Sequence, residues 1–288
     1  MGRSILERAE HFIWKNARLV ERRLFEFHFK DGSPAAVVDA LRPYQNADGG
    51  FGNALEPDIR CPDSQPVPVQ HALELLSTVG FDREMVRDAS DYLLTITTPE
   101  GGVPWLLPSA LKYPRAPWWQ TGDAPAASVN PTAAIAGLLH QNGFRHKWLE
   151  AATTFCWSKI AELELSDPHD AGVVLTFLYN VPDRARADAE LARVTGLLLS
   201  SDLVADVNAE GYVFKPLDWA PTPDHPLRDH VAPENVAANL DLLVAGQQPD
   251  GGWNISWEPL SRACELEWRG SVTIDALLTL RANGRLDA

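Results

Sequence analysis

Two short stretches of the chain place carboxylates next to an arginine. Asp58 and Asp63 flank Arg60 in EPDIRCPD, and Glu267 stands two residues before Arg269 in CELEWR. A carboxyl group that an arginine holds beside an apolar cavity can be tuned to donate or accept a proton. We therefore predict Asp58, Asp63 and Glu267 as catalytic residues, with Arg60 and Arg269 binding a polar or anionic group. The alternative is that these side chains form loop salt bridges.

Tryptophan is the second residue type that suggests ligand binding. Seven of the ten tryptophans fall in expected loops or at expected helix starts. Aromatic faces can pack on an apolar chain, stack on sugar rings or stabilise a cation. We predict Trp105, Trp118, Trp119 and Trp268 as ligand-binding residues, whereas Trp253 is expected to pack against its own turn.

Metal and cofactor motifs are weak in this sequence. Asp58 or Asp63 lies near Cys61 and His71, and DHPLRDH contains His225 and His230, so both sets remain open as metal ligands. No CxxC pair, P-loop or GxGxxG motif is present. We expect no metal and no cofactor.

Composition excludes several classes of partner. The formal net charge of the 288 residues is −14, and no block of lysine and arginine stands out, which argues against nucleic acid and anionic membranes. No run of about eighteen apolar residues could form a transmembrane segment, and the N-terminus does not resemble a signal peptide. Three widely spaced cysteines favour the reducing cytoplasm.

An internal repeat gives the first indication of architecture. QNADGGF (45–51) and QQPDGGW (247–253) open two segments that match at eight positions without a gap. PEGGVPW (99–105) and NAEGYVF (208–214) are degenerate copies. Asp followed by two glycines is typical of a tight turn, and the glutamine is expected to bind the end of a neighbouring helix.

The segments around these turns have helical periodicity. Leucine and alanine recur at helical spacing, and helices are predicted over 4–29, 84–96, 148–161, 171–179 and 183–200. No alternating strand pattern appears. We therefore predict an all-α protein with a single domain over residues 1–288.

The QxxDGG[FW] copies resemble the QW repeats of the terpene cyclase and protein prenyltransferase superfamily, and the chain also resembles a bacterial branch of such proteins. The resemblance implies an α/α toroid, in which helical hairpins surround a central cavity. It also implies an isoprenoid-processing protein whose cavity binds a prenyl or polyprenyl substrate. Oligomeric state is left open.

The sequence departs from this superfamily at the expected acid. Cyclases that begin by protonation resemble one another in a DxDDTA motif, and the nearest match here is SVNPTA, in which Asn130 replaces the central aspartate. No DDxxD motif is present either. We therefore expect a non-standard acid/base site, with Asn130 binding substrate. A non-catalytic toroid that binds a lipid or a protein, and a carbohydrate-active α/α-toroid hydrolase or lyase, remain alternatives.

Overall fold

The computed structural model describes residues 3–286, and this part of the chain is all-α, as predicted. It contains helices and no β-strand, with isolated bridges at Gln45–Phe51 and Ile59–Arg115. The helices are α1 (Ile5–Asn16), α2 (Leu19–Phe29), α3 (Pro34–Leu41), α4 (Pro66–Val79), α5 (Arg83–Ile96), α6 (Val129–Gln141), α7 (Lys147–Ala161), α8 (Pro168–Asn180), α9 (Arg184–Leu199), α10 (Pro216–Trp219), α11 (Pro233–Ala245) and α12 (Arg262–Ala282). Short 3-10 turns cover Arg42–Tyr44, Pro108–Lys112 and Arg228–His230.

The predicted helix over 4–29 is two helices in the structure. Ser4 and Glu7 form a capping box that begins α1. Ala17 and Arg18 then take extended backbone angles, which separate α1 from α2. Helix α12 packs closely against this break, since a Cβ atom added to Gly270 of α12 would lie 3.0 Å from the Cβ of Ala17.

The chain forms two compact units. The middle unit comprises residues 38–200 and the terminal unit comprises residues 1–37 and 201–288. The single domain and the closed ring of hairpins stay predictions.

Within the middle unit, neighbouring helices pack as hairpins. Helix α6 packs against α4, α7 and α8, while α9 packs against α8. Small residues fill α6, and a Cβ atom on Gly137 would come 2.7 Å from the carbonyl oxygen of Thr176 in α8. The missing side chain therefore lets the two helices approach closely.

Within the terminal unit, α12 is the central helix and contacts α1, α2 and α11. Its core includes Phe12 and Ile13 from α1, Ile274 and Leu277 from α12, and Trp253 from the repeat turn. All five side chains are at least nine-tenths buried, so this cluster supplies the main apolar stabilisation of the unit.

The turn of the first repeat docks on the start of a helix. The side-chain nitrogen of Gln45 donates to the carbonyl oxygens of Gly49 (2.9 Å) and Met85 (3.0 Å), the latter in the first turn of α5. Gly49 has φ +86°, and a Cβ there would lie 2.3 Å from the carbonyl oxygen of Asp88. Glycine is therefore required both by backbone conformation and by close approach.

The second repeat turn makes the same contacts in the terminal unit. Gln247 donates to the carbonyl oxygens of Gly251 and Ile5, each at 2.9 Å. A Cβ on Gly251 would lie 2.0 Å from the carbonyl oxygen of Arg8. The two turns therefore use the same spacing on the neighbouring helix. The carbonyl group beside the glycine lies three residues after the carbonyl group that the glutamine binds. Among residues 3–286, no such neighbour lies within 4 Å of a Cβ added to Gly211 in the degenerate copy 208–214.

Candidate functional site

The structure brings the first carboxylate stretch against the tryptophan-rich segment of the middle unit. The backbone N–H of Arg60 donates to the carbonyl oxygen of Pro114 (3.0 Å), and that of Ala116 donates to Asp58 (2.9 Å). Two sequence-predicted groups, residues 56–63 and 105–119, are therefore neighbours in space.

Gln65 fixes this arrangement from the start of α4. Its side-chain oxygen accepts from the backbone N–H of Leu107 (2.9 Å), and its side-chain nitrogen donates to Oγ of Ser109 (2.8 Å). Gln65 is fully buried. Sequence reasoning missed it because nothing in the sequence pairs position 65 with the segment forty residues later.

The tryptophans of this segment differ sharply in exposure. The ring centroids of Trp105 and Trp119 lie 4.2 Å apart. Trp119 is buried in an apolar cluster that also contains Ile59 and Leu106. Trp118, in contrast, is 44% exposed. In this unit the predicted ligand-binding faces of Trp105 and Trp119 are largely used by the fold itself, and Trp118 offers the accessible face.

The other predicted residues of the middle unit lie at different depths. Asp58 is buried, Asp63 is exposed and Arg60 is half-buried, with Nη1 donating to the carbonyl oxygen of Pro57 (3.3 Å). Asn130 is half-buried at the start of α6, where its backbone is non-helical (φ −95°, ψ 118°). The buried carboxyl of Asp58 is thus the one of this set that is shielded from water.

The candidate metal ligands do not converge. Nδ1 of His71 lies 3.3 Å from Oε2 of Glu56, while Cys61 lies near the Gln65 amide nitrogen. Burial raises the pKa of the Cys61 thiol, which disfavours the thiolate that a metal requires. Nowhere in residues 3–286 do three histidine, cysteine or acidic side chains form a group that could hold a metal.

Arg269 lies in the terminal unit and is committed to the second repeat turn. Nε donates to the carbonyl oxygen of Trp253 (3.0 Å), and Nη2 donates to Oδ1 of Asp250 (2.7 Å). Its guanidinium carbon lies 4.5 Å from the ring centroid of Phe12, and the residue is buried. These contacts give the Arg269 side chain a structural role in the second repeat turn, and ligand binding by Arg269 stays a prediction.

The neighbouring Trp268 belongs to an aromatic cluster that the sequence did not reveal. Its ring meets Trp257 edge-on (5.3 Å, 85°), and Trp257 meets Tyr212 in the same way (5.5 Å, 80°). Phe214 and Trp219 continue the cluster. Tyr212 is 50% exposed, and Trp257 and Trp268 are half-buried, so this aromatic cluster keeps accessible faces. Glu267, also half-buried, directly precedes Trp268.

Asp275 is a further carboxylate of α12 that sequence reasoning missed. Its side chain is exposed, yet desolvation by the surrounding protein raises the pKa of its carboxyl to about 6. The sequence contained one indication of it: Asp275 lies seven residues after Trp268, which places both side chains on one face of the helix. Surface and interior aspartates look alike in sequence, so that spacing alone did not identify it.

An open pocket of about 490 Å³ lies elsewhere in the middle unit. It is lined by the first repeat turn, Arg42, Asp88 and Asp91. Its polar and acidic lining is unsuited to an apolar chain, and it contains none of the predicted site residues.

Comparison with known proteins adds a distant relative. The chain is 27% identical over 232 residues to drimenyl diphosphate synthase of Streptantibioticus cattleyicolor. The alignment covers 76% of this chain but 41% of that protein, so the chain spans well under half the length of this relative.

A solved structure shares the fold. A protein from Actinoplanes superposes with a TM-score of 0.55 at 18% identity, covering 98% of this chain and 91% of the other. No protein-family model matches the sequence. No helix within residues 3–286 is long and apolar enough to cross a membrane.

Proposed function

We propose that this protein binds a prenyl diphosphate and catalyses its cyclisation as a terpene cyclase-like enzyme. The observation that carries the proposal is the similarity to drimenyl diphosphate synthase, which extends over 76% of the chain. The name of that relative describes a product that keeps its diphosphate. Cyclisation of this kind starts by protonating an alkene and needs a carboxylic acid together with a surface that tolerates positive charge.

The aromatic cluster of the terminal unit is the surface that best meets this need. Tyr212, Trp257 and Trp268 present accessible rings, and their edge-to-face packing holds each ring in a fixed orientation. A ring face stabilises a nearby carbocation through its quadrupole, most strongly where water is excluded. In the proposed reaction Glu267, next to Trp268, donates the starting proton.

The middle unit offers a second set of candidate residues. Asp58 is a buried carboxyl, Arg60 carries a positive charge for a phosphate, and Trp118 exposes an aromatic face. Asp63 and Asn130 complete this set as polar groups. Taken by itself, the middle unit is a second candidate site, in which we propose that Arg60 binds the phosphate and Asp58 donates the proton.

The first test is ligand binding to the purified protein. Prenyl diphosphates of several lengths, neutral prenols and oligosaccharides are compared in a thermal-shift assay, with and without magnesium. A ligand present at a hundredfold excess over its Kd adds about 2.7 kcal/mol to the free energy of unfolding, which gives an easily measured shift. We expect stabilisation by a prenyl diphosphate. Stabilisation by oligosaccharides alone would instead identify a carbohydrate-active protein.

The second test is turnover. Products of incubation with the stabilising prenyl diphosphate are analysed by mass spectrometry for wild type, Glu267→Gln and Glu258→Gln. Glu258 is an exposed glutamate of the same unit and serves as the matched control. We expect Glu267→Gln to keep the thermal shift and lose cyclised product. Recovery of unchanged ligand from the wild type would show a binding protein rather than an enzyme.

A further inference from the structure

Helix α12 has two contrasting faces. Gly270, Ile274 and Leu277 face the core of the terminal unit, where Gly270 approaches Ala17. On another face, two turns of the helix present Trp268, Ser271 and Asp275, none of which is buried. An aromatic ring, a hydroxyl and a carboxyl thus form one accessible stripe, hereafter the α12 stripe.

Asp275 stands out within the α12 stripe. Among the described residues, no salt bridge or side-chain hydrogen bond is made by its carboxyl, and no neighbouring charge contributes to its raised pKa, which desolvation alone causes. Hydrogen-bond donors would stabilise the charged form of this carboxyl, and without them it holds its proton more tightly. A side chain that is accessible, lacks these partners and lies in weakly solvating surroundings is suited to meet a ligand.

We propose that Asp275 is the base that ends the isoprenoid reaction and that the α12 stripe carries the reacting chain from Trp268 to Asp275. This inference rests on the proposed function. The acid adds a proton to an alkene near Trp268 and leaves a carbocation. Successive alkenes then donate their π electrons to form ring C–C bonds, which moves the positive charge along the chain.

The last step occurs at Asp275. A C–H bond beside the cationic carbon breaks, its electron pair becomes a C=C bond, and the proton forms an O–H bond with the carboxylate. Water later removes that proton, which restores the base, and the acid takes up a proton from water before the next turnover. Seven residues correspond to about 10 Å along the helix axis, so the substrate must be a prenyl chain of several units. The position of Asp275 then decides which proton is lost.

Carboxyl labelling tests the site directly. The wild-type protein is treated at pH 6 with dicyclohexylcarbodiimide, an apolar reagent for protonated carboxyl groups, and the modified residues are mapped by mass spectrometry. We expect Asp275 to be labelled and the prenyl diphosphate that gives the thermal shift to protect it. Absent labelling, or labelling that this ligand leaves unchanged, would overturn the inference.

Product analysis tests the chemical role. Asp275→Asn is compared with Asp229→Asn, which changes an exposed aspartate in the same unit. We expect Asp275→Asn to keep the thermal shift but to change the ratio of alkene isomers and water-quenched alcohols about tenfold. The ratio for Asp229→Asn stays that of the wild type. An unchanged ratio in Asp275→Asn, with the ligand shift intact, refutes the role of Asp275 and leaves the proposed function standing. If no prenyl compound stabilises the wild type, the proposed function fails and this inference fails with it.

Discussion

Replacing Gly251 by alanine should destabilise the protein far more than the same change at Gly211. Both glycines have positive φ, +99° and +89°, and alanine in such a conformation costs about 1–2 kcal/mol. At Gly211 the new methyl group meets no atom of the described residues within 4 Å, apart from its own chain neighbours. At Gly251 it would lie 2.0 Å from the backbone oxygen of Arg8, which cannot rotate away because it belongs to α1.

Relief of this overlap requires the turn to move away from α1. That movement breaks the hydrogen bonds of Gln247 with the carbonyl oxygen of Ile5 and with Nε of Arg8, both 2.9 Å long. Each bond contributes about 1 kcal/mol, so Gly251→Ala should cost about 3–4 kcal/mol in total. Gly211→Ala should cost only the backbone term of about 1–2 kcal/mol.

Urea denaturation followed by circular dichroism gives the free energy of unfolding of each variant. A Gly251→Ala protein whose free energy of unfolding lies within about 1 kcal/mol of that of Gly211→Ala would refute the docking of the repeat turn on α1, since the expected difference comes from two hydrogen bonds and the overlap that breaks them. Gly49→Ala supplies an independent check in the middle unit, where the added Cβ would lie 2.3 Å from the carbonyl oxygen of Asp88.

Two further predictions concern α12. Arg269→Met should keep much of the packing on Phe12 but remove the hydrogen bonds to Trp253 and Asp250. We expect the free energy of unfolding, measured by urea denaturation, to fall by about 2–3 kcal/mol. An unchanged free energy of unfolding would contradict a structural role for Arg269. The pKa of the Asp275 carboxyl, about 6, lies above the ordinary 3.8. Between these two pH values the folded protein keeps a proton that the unfolded chain has released. The free energy of unfolding therefore falls as the pH rises through this range. Asp275→Asn should therefore raise the Tm relative to wild type more at pH 8 than at pH 4, and an equal difference at both pH values would exclude a raised pKa.

The sequence alone determined the all-α class and the location of the repeat turns. Helical periodicity is a local property, and the DGG turns need glycine for backbone reasons that are written in the residues themselves. Gln45 and Gln247 were expected to bind neighbouring helix ends, and both do so.

Only the tertiary structure decided what the candidate side chains touch. Arg269 resembled a ligand-binding residue in sequence, but its contacts with the turn depend on how α12 packs against α1. Trp119 and Trp118 are neighbours in sequence, yet one is buried and the other is 44% exposed. Burial and desolvation are set by atoms from distant segments, which is why the raised pKa of Asp275 emerged only with the fold.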